Sequence, residues 1–382
     1  MSEGAFFFLT LPGFSKCFRE FMGKTGASER VFGLDLVRAL AIVLVVLGHG
    51  KPMLAGTLLA GFPFFRMIDG VDMFFVLSGF LIGNILLKQL AANGGFSGRD
   101  LGPFWIRRWF RTLPNYYLVL LLDYLLIKSG LSGGDLGQFN WKFLFFLQNF
   151  STPFHGFFWE SWSLAVEEWF YLIFPILLVL LNRFFNARTA YFVGVCLMLL
   201  FPILYRAYNY DPAITPEYFD LGIRKVVLTR LDSIGYGLLA AYFFRFANGF
   251  WLKYRWQSFF IGLAVMVFVL NIDCGITSVY AQVFHYLLSP MSVMFVLPLM
   301  STIKRCKWKA GAVITHISKI SYAMYLLNLG VVLNLMRHNT ALFGPATGLG
   351  IFLAYWAAVV LLSTILYYAY EKPMTDLRDR LR

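Results

Sequence analysis

The 382-residue chain is 59% hydrophobic and only 14% charged, which excludes a water-soluble globular domain and fits a protein that crosses a membrane many times. In a soluble chain the formal net charge of +13 would suggest a nucleic-acid partner. Membrane topology instead sorts Lys and Arg between two faces, so no nucleic-acid partner is expected.

Residues 1–32 carry the apolar run "FFFLTLPGF", too short to span and followed by basic residues instead of a small-residue cleavage site, and they read as a cytoplasmic or interfacial arm. Apolar stretches long enough to cross follow near 34–50, 68–87, 113–130, 159–182, 189–208, 226–244, 256–273, 277–302, 313–336 and 346–370. About ten crossings return the chain to its starting side. In that arrangement two thirds of the 33 Lys and Arg lie on the side of the N-terminus, which predicts both termini in the cytoplasm. The membrane domain is predicted over 33–373, with a cytoplasmic tail at 374–382. Cys17, Cys196, Cys274 and Cys306 are scattered at different depths without CxxC spacing, so neither a disulfide framework nor a metal centre is expected.

The first crossing, "LDLVRALAIVLVVLGHGKP", holds Arg38 and His49 within apolar chain, where an ionisable group costs about 2.5 kcal/mol or more. Eleven residues at about 100° each bring the two side chains to nearly the same helix face, roughly 16 Å apart along the axis. Arg38 then lies at one membrane boundary and His49 near mid-depth. In the second crossing Asp72 shares a face with Gly79 and Gly83, a surface that another helix can approach closely. Asp72 either caps the helix start or accepts a hydrogen bond from the His49 imidazole and fixes its tautomer.

Ahead of the third crossing, "FWIRRWFRTLPNYY" places Arg107, Arg108 and Arg111 on the cytoplasmic side, with Pro114 marking re-entry into the membrane. These arginines either anchor the boundary or supply bidentate donors to the phosphates of a nucleotide cofactor. The fourth crossing, "FWESWSLAVEEWFYLIFP", aligns Ser163, Glu167 and Tyr171 on one face, with Glu168 turned about 100° away. A carboxylate on so apolar a helix calls for a polar cavity or an arginine partner. In the sixth crossing Arg230 and Asp232 are expected to reach into the same interior.

Together these segments resemble the acyltransferase-3 family of integral membrane O-acyltransferases. The resemblance rests on Arg38 with ten residues to His49, "GVDMFFVLSGFLIG", Arg107, Arg108, Arg111 and Pro114, "WSLAVEEWFYL", "RLDSIGYG", "ISYAMYL" and "YEKP", in order over about 33–373. It implies transfer of an acyl group, commonly acetyl, from cytoplasmic acyl-CoA to a hydroxyl of a saccharide or glycoconjugate, with no permanently bound cofactor. By the same resemblance Arg38, Arg107, Arg108 and Arg111 hold the CoA phosphates, His49 is the general base, and Asp72 and Glu167 match the acidic positions of two family motifs.

Ser163, Tyr171, Arg230, Asp232 and Asn328 complete the expected polar network. Asn328 departs from the family, which often has a histidine there; an amide cannot act as a base. Family members with a fused extracytoplasmic domain pass the acyl group on to it, whereas here the acceptor is expected to meet the membrane domain directly. The fold expected is an all-α, polytopic transmembrane bundle in a bacterial cytoplasmic (inner) membrane. A covalent route through Ser163, Ser78 or a tyrosine stays open. The rival reading is a transporter or flippase for a glycolipid or acyl donor, whose buried charges line a pathway without bond-making.

Overall fold

The computed structural model describes residues 30–55, 57, 69–272, 274–306, 308–339 and 348–380, so all of the expected N-terminal arm except 30–32 lies outside the described residues. Among the described residues the regular structure is helical throughout, without strands. In chain order the long helices are α1 (Phe32–Gly50), α2 (Gly70–Asn93), α3 (Gly98–Lys128), α4 (Ser161–Leu181), α5 (Ala187–Tyr208), α6 (Leu231–Phe246) and α7 (Arg255–Asn271). They are followed by α8 (Tyr280–Met300), α9 (Ala310–His338) and α10 (Gly348–Leu377), each of which contains a π turn. Seven of them, α1, α2, α4, α5, α8, α9 and α10, are long and apolar enough to cross a membrane. The chain is a multi-pass, all-helical membrane protein.

Local sequence sets the helix boundaries. Asp69 caps α2 by accepting the Val71 N–H at 3.0 Å, and Gly94 ends it in the left-handed region at φ 68°. Ser97 and Asp100 form a reciprocal capping box at the start of α3, and Asn186 caps α5. Pro114, read as marking re-entry into the membrane, lies within one continuous helix: α3 runs unbroken from Gly98 through Pro103 and Pro114. A proline in a helix leaves backbone groups to be satisfied by neighbours. In this turn the Thr112 hydroxyl donates to the Arg108 carbonyl at 3.2 Å, and the Tyr322 hydroxyl donates to that of Thr112 at 2.8 Å.

Between α3 and α4 the chain does not stay at the surface. The hydroxyls of Tyr116 and Tyr117 donate to the carbonyls of Phe143 and Leu144 at 2.8 and 2.6 Å, and Trp169 donates its indole N–H to Phe146 at 2.8 Å. Tyr116 lies roughly 18 Å along α3 from its end, so this segment, which includes the short 3-10 helix Trp141–Leu144, runs back along α3. Irregular backbone is tolerated within a membrane only where protein covers its polar groups, and three ring donors do that here.

The closest packing joins α2 to α6. A Cβ on Gly79 would meet the Ile234 carbonyl oxygen at 2.1 Å, and one on Gly237 would meet that of Val76 at 2.1 Å. The small face predicted on α2 is thus the surface on which α6 rides. Replacing Gly237 with alanine forces two backbones apart and is expected to cost about 1–3 kcal/mol. A lowered thermal midpoint in detergent, followed by tryptophan fluorescence, checks this; an unchanged midpoint contradicts it.

Candidate active site

Two cavities lie along α1, one toward each end. The first, about 120 Å³, is lined by Arg38 of α1, Ser78 of α2, Arg108 and Arg111 of α3, and Glu167 and Tyr171 of α4. Its volume equals only a few water molecules, so it suits a thin extended chain and not a nucleotide. The Ser78 and Tyr171 hydroxyls are 3.0 Å apart, and Trp105 donates to the Tyr171 carbonyl at 2.9 Å, which fixes the wall between α2, α3 and α4. Among the described residues no carboxylate lies within ion-pair distance of Arg38 or Arg111. The Arg38 and Arg111 guanidinium groups, with Glu167 in the same lining, present donors suited to an anionic group.

The second cavity is larger, about 520 Å³, within the usual range for small-molecule sites. His49 faces it from α1, with Asp69, Trp159, Glu160, Trp162 and Arg224 among the lining groups. The imidazole is held by Asn328, whose Oδ1 is 2.5 Å from His49 Nδ1. Asn328 Nδ2 donates to the carbonyls of Met324 and Tyr325 at 2.9 and 2.7 Å, so its other atom must be the oxygen. The proton between the two side chains therefore sits on Nδ1, and the lone pair of His49 is on Nε2. The tautomer of the imidazole is set by an amide.

The neighbouring backbone supports this arrangement. Asn328 opens the π turn Asn328–Leu333 within α9, where the wider winding leaves the N–H groups of Leu329 and Gly330 pointing sideways. Both donate to Glu160 Oε1, at 3.1 and 2.6 Å, which ties the start of α4 to α9. On the opposite wall Arg224 bridges Asp69 and Asp220 at 2.8 Å each, and Lys225 donates to Asp220 at 2.6 Å. Burial alone would raise the Asp220 carboxyl, but the bonds from Lys225 and Arg224 hold it below its ordinary range. The segment between α5 and α6 is thereby pinned over the His49 cavity.

The structure brings Arg38, Arg108, Arg111, Ser163, Glu167 and Tyr171 together in the first cavity. Arg107 does not line it. His49 and Asn328 meet at the second, but Asp72 is not their partner. Its carboxylate is taken by Arg230 and by the Ser289 hydroxyl at 2.6 Å, in the contact between α2, α6 and α8. Asp232 pairs in turn with Arg206 at 2.6 Å. All four charges are buried, and losing one partner from such a pair costs about 3–5 kcal/mol, so both pairs brace the helices they join.

A second observation concerns the space between Arg38 and His49. Instead of one continuous tunnel there are two cavities that share Val71 and Tyr325 as lining residues. Tyr325, buried, closes the boundary through a 2.6 Å hydrogen bond to Ser163 and a 3.3 Å bond to the Glu160 carbonyl. Sequence reading passed over Asp69, Glu160, Arg224 and Tyr325. Of these, Asp69 and Glu160 lie within three residues of motifs that were singled out, and Tyr325 lies inside "ISYAMYL".

Comparison with known proteins adds a chemical class. The profile of an acyltransferase domain matches residues 31–368. A Staphylococcus aureus (strain COL) protein named "Putative O-acetyltransferase" is 28% identical over 333 residues, covering 78% of this chain and 50% of that protein. A Bacillus subtilis (strain 168) protein named "Putative peptidoglycan O-acetyltransferase" is 33% identical over 209 residues, 51% of this chain and 31% of its own. The peptidoglycan O-acetyltransferase OatA of Listeria monocytogenes is 36% identical over 161 residues, 38% of this chain and 24% of its own. This chain spans about half the length, or less, of these relatives. No solved structure matches it.

Proposed function

The chain belongs to the acyltransferase-3 family of membrane acyltransferases, and on that premise we propose that it moves an acetyl or other short acyl group from cytoplasmic acyl-CoA to a saccharide hydroxyl. The observation that carries this reading is the placement, on one helix, of an arginine-lined anion site and a histidine with a free Nε2 in adjoining cavities. Arg38, Arg108 and Arg111 hold the CoA phosphates at the mouth of the first cavity, and the pantetheine arm fills its narrow volume. The thioester is delivered toward His49.

The acceptor occupies the larger cavity. Trp159, partly exposed, offers aromatic surface to the C–H face of a sugar, while Asp69, Glu160 and Lys225 supply polar groups for its hydroxyls. His49 Nε2 accepts the proton of the reacting hydroxyl as its oxygen attacks the thioester carbonyl. The C–S bond breaks, the C–O ester bond forms, and the imidazolium returns the proton to the CoA thiolate. Glu167 keeps the anion site from carrying an excess of positive charge before the donor binds. The bacterial cytoplasmic membrane, with the acceptor on its outer side, is the location this reading requires.

The test is purified protein in vesicles, given isotopically labelled acetyl-CoA and a peptidoglycan or surface-polysaccharide fragment. An ester on the glycan, detected by mass spectrometry, supports acyl transfer. Vesicle uptake of either compound without an ester would identify a transporter instead.

A further inference from the structure

We propose that Tyr325, latched by Ser163, is the residue that decides between transfer and hydrolysis, by keeping the donor's thioester apart from the water-accessible His49 cavity until an acceptor is in place. The proposal rests on the acyl-CoA reading above. Its starting observation is that Tyr325 and Val71 line both cavities, whereas Arg38 faces only one and His49 only the other.

A valine cannot be switched without moving its helix, but a tyrosine can turn about two side-chain bonds. The Tyr325 ring packs edge-on against Phe74, with centroids 6.2 Å apart, and its hydroxyl is 2.6 Å from Ser163. Both residues are buried, at 7% and 5% exposure, so the bond is shielded from competing water. Such a bond is strong enough to hold a side chain shut and weak enough to be broken by ligand binding.

Tyr325 is also tied to the base. Its carbonyl accepts Asn328 Nδ2, and Asn328 in turn orients His49.

The reason for a latch is chemical. The base that activates a sugar hydroxyl activates water equally well, and water in the outer cavity would consume the donor. In that side reaction a water oxygen attacks the thioester carbonyl, its proton passes to His49 Nε2 and then to the departing thiolate, and the products are a carboxylic acid and free CoA.

Acceptor-independent release of CoA from acetyl-CoA, read with a thiol reagent, tests the idea. Tyr325→Ala is expected to raise it at least tenfold, and the double variant Tyr325→Ala/His49→Ala to return it to background. Ser163→Ala leaves the ring and its 3.3 Å bond to the Glu160 carbonyl in place but removes the shorter bond, and is expected to raise hydrolysis by a smaller factor; it serves if the tyrosine variant does not fold.

Unchanged hydrolysis in a folded Tyr325→Ala, or in Ser163→Ala, while acetyl-CoA still binds, overturns the latch and leaves the acyl-CoA reading intact. If the parent protein neither binds acetyl-CoA nor releases CoA with acceptor present, the underlying reading fails instead.

Discussion

Replacement of His49 by alanine is expected to lower acyl transfer by about 10²–10⁴-fold while the protein still folds and inserts. His49 is only half-buried and contributes one hydrogen bond to the fold, to an Asn328 oxygen that also accepts from Tyr355 at 3.4 Å. Loss of that bond costs on the order of 1 kcal/mol. His49→Gln is the stricter variant, since its amide can still donate toward Asn328 but cannot carry a proton between hydroxyl and thiolate. Both variants should bind acetyl-CoA with parental affinity, because the arginine-lined cavity lies at the other end of α1. Transfer rates measured with labelled acetyl-CoA, alongside a melting curve, check the pair; full activity in either removes the base mechanism.

The second large effect is expected from Arg38→Ala. Arg38 faces the first cavity with no ion pair among the described residues, although Glu167 lines the same cavity, so its guanidinium can take an anionic ligand. A charge-assisted hydrogen bond to phosphate is worth about 1.5–3 kcal/mol, or roughly 10–100-fold in affinity. The loss should appear as a raised KM for acetyl-CoA with a smaller change in kcat. Arg38→Lys keeps the charge but not the two-pronged geometry and should recover only part of the affinity. Free phosphopantetheine, which lacks the nucleotide, should discriminate less between parent and variant than acetyl-CoA does. A drop in kcat with unchanged KM would place Arg38 outside the donor site.

Much of this was legible from helical periodicity, which is a local property. Arg38 and His49 share a face of α1 because eleven residues nearly complete three turns. Ser163, Glu167 and Tyr171 gather in one cavity by the same arithmetic applied to α4. The small face of α2 was readable for the same reason, although only the structure names α6 as its partner.

Partner choice across the bundle was not legible. The segment "RMIDGVDMFF" holds two acids three residues apart, and spacing alone cannot say which faces the base. Asp69 turns to Arg224 at the cavity, while Asp72 turns to Arg230 in the interior, because each meets an arginine from a distant part of the chain. Glu160 was hidden for a similar reason. Its partners are backbone N–H groups freed by a π turn in α9, a feature with no side-chain signature.

Asn328 is the instructive residue. Read along the sequence it marks the loss of a titratable group, yet in space it is the acceptor that determines which nitrogen of His49 is free. The segment between α3 and α4 shows the same limit from the backbone side. Nothing in its own residues predicts that it runs back along α3, since the donors that cover its carbonyls belong to Tyr116, Tyr117 and Trp169.

The most direct test is a cryo-electron microscopy structure of the protein with a non-hydrolysable acetyl-CoA analogue. The diphosphate should lie against Arg38, Arg108 and Arg111, with the Tyr325 ring displaced from Ser163 and the acyl carbon facing the His49 cavity, where an acceptor oxygen could approach to about 3–3.5 Å. A donor bound elsewhere, or one whose acyl group remains behind a closed Tyr325 with acceptor also bound, would contradict the account.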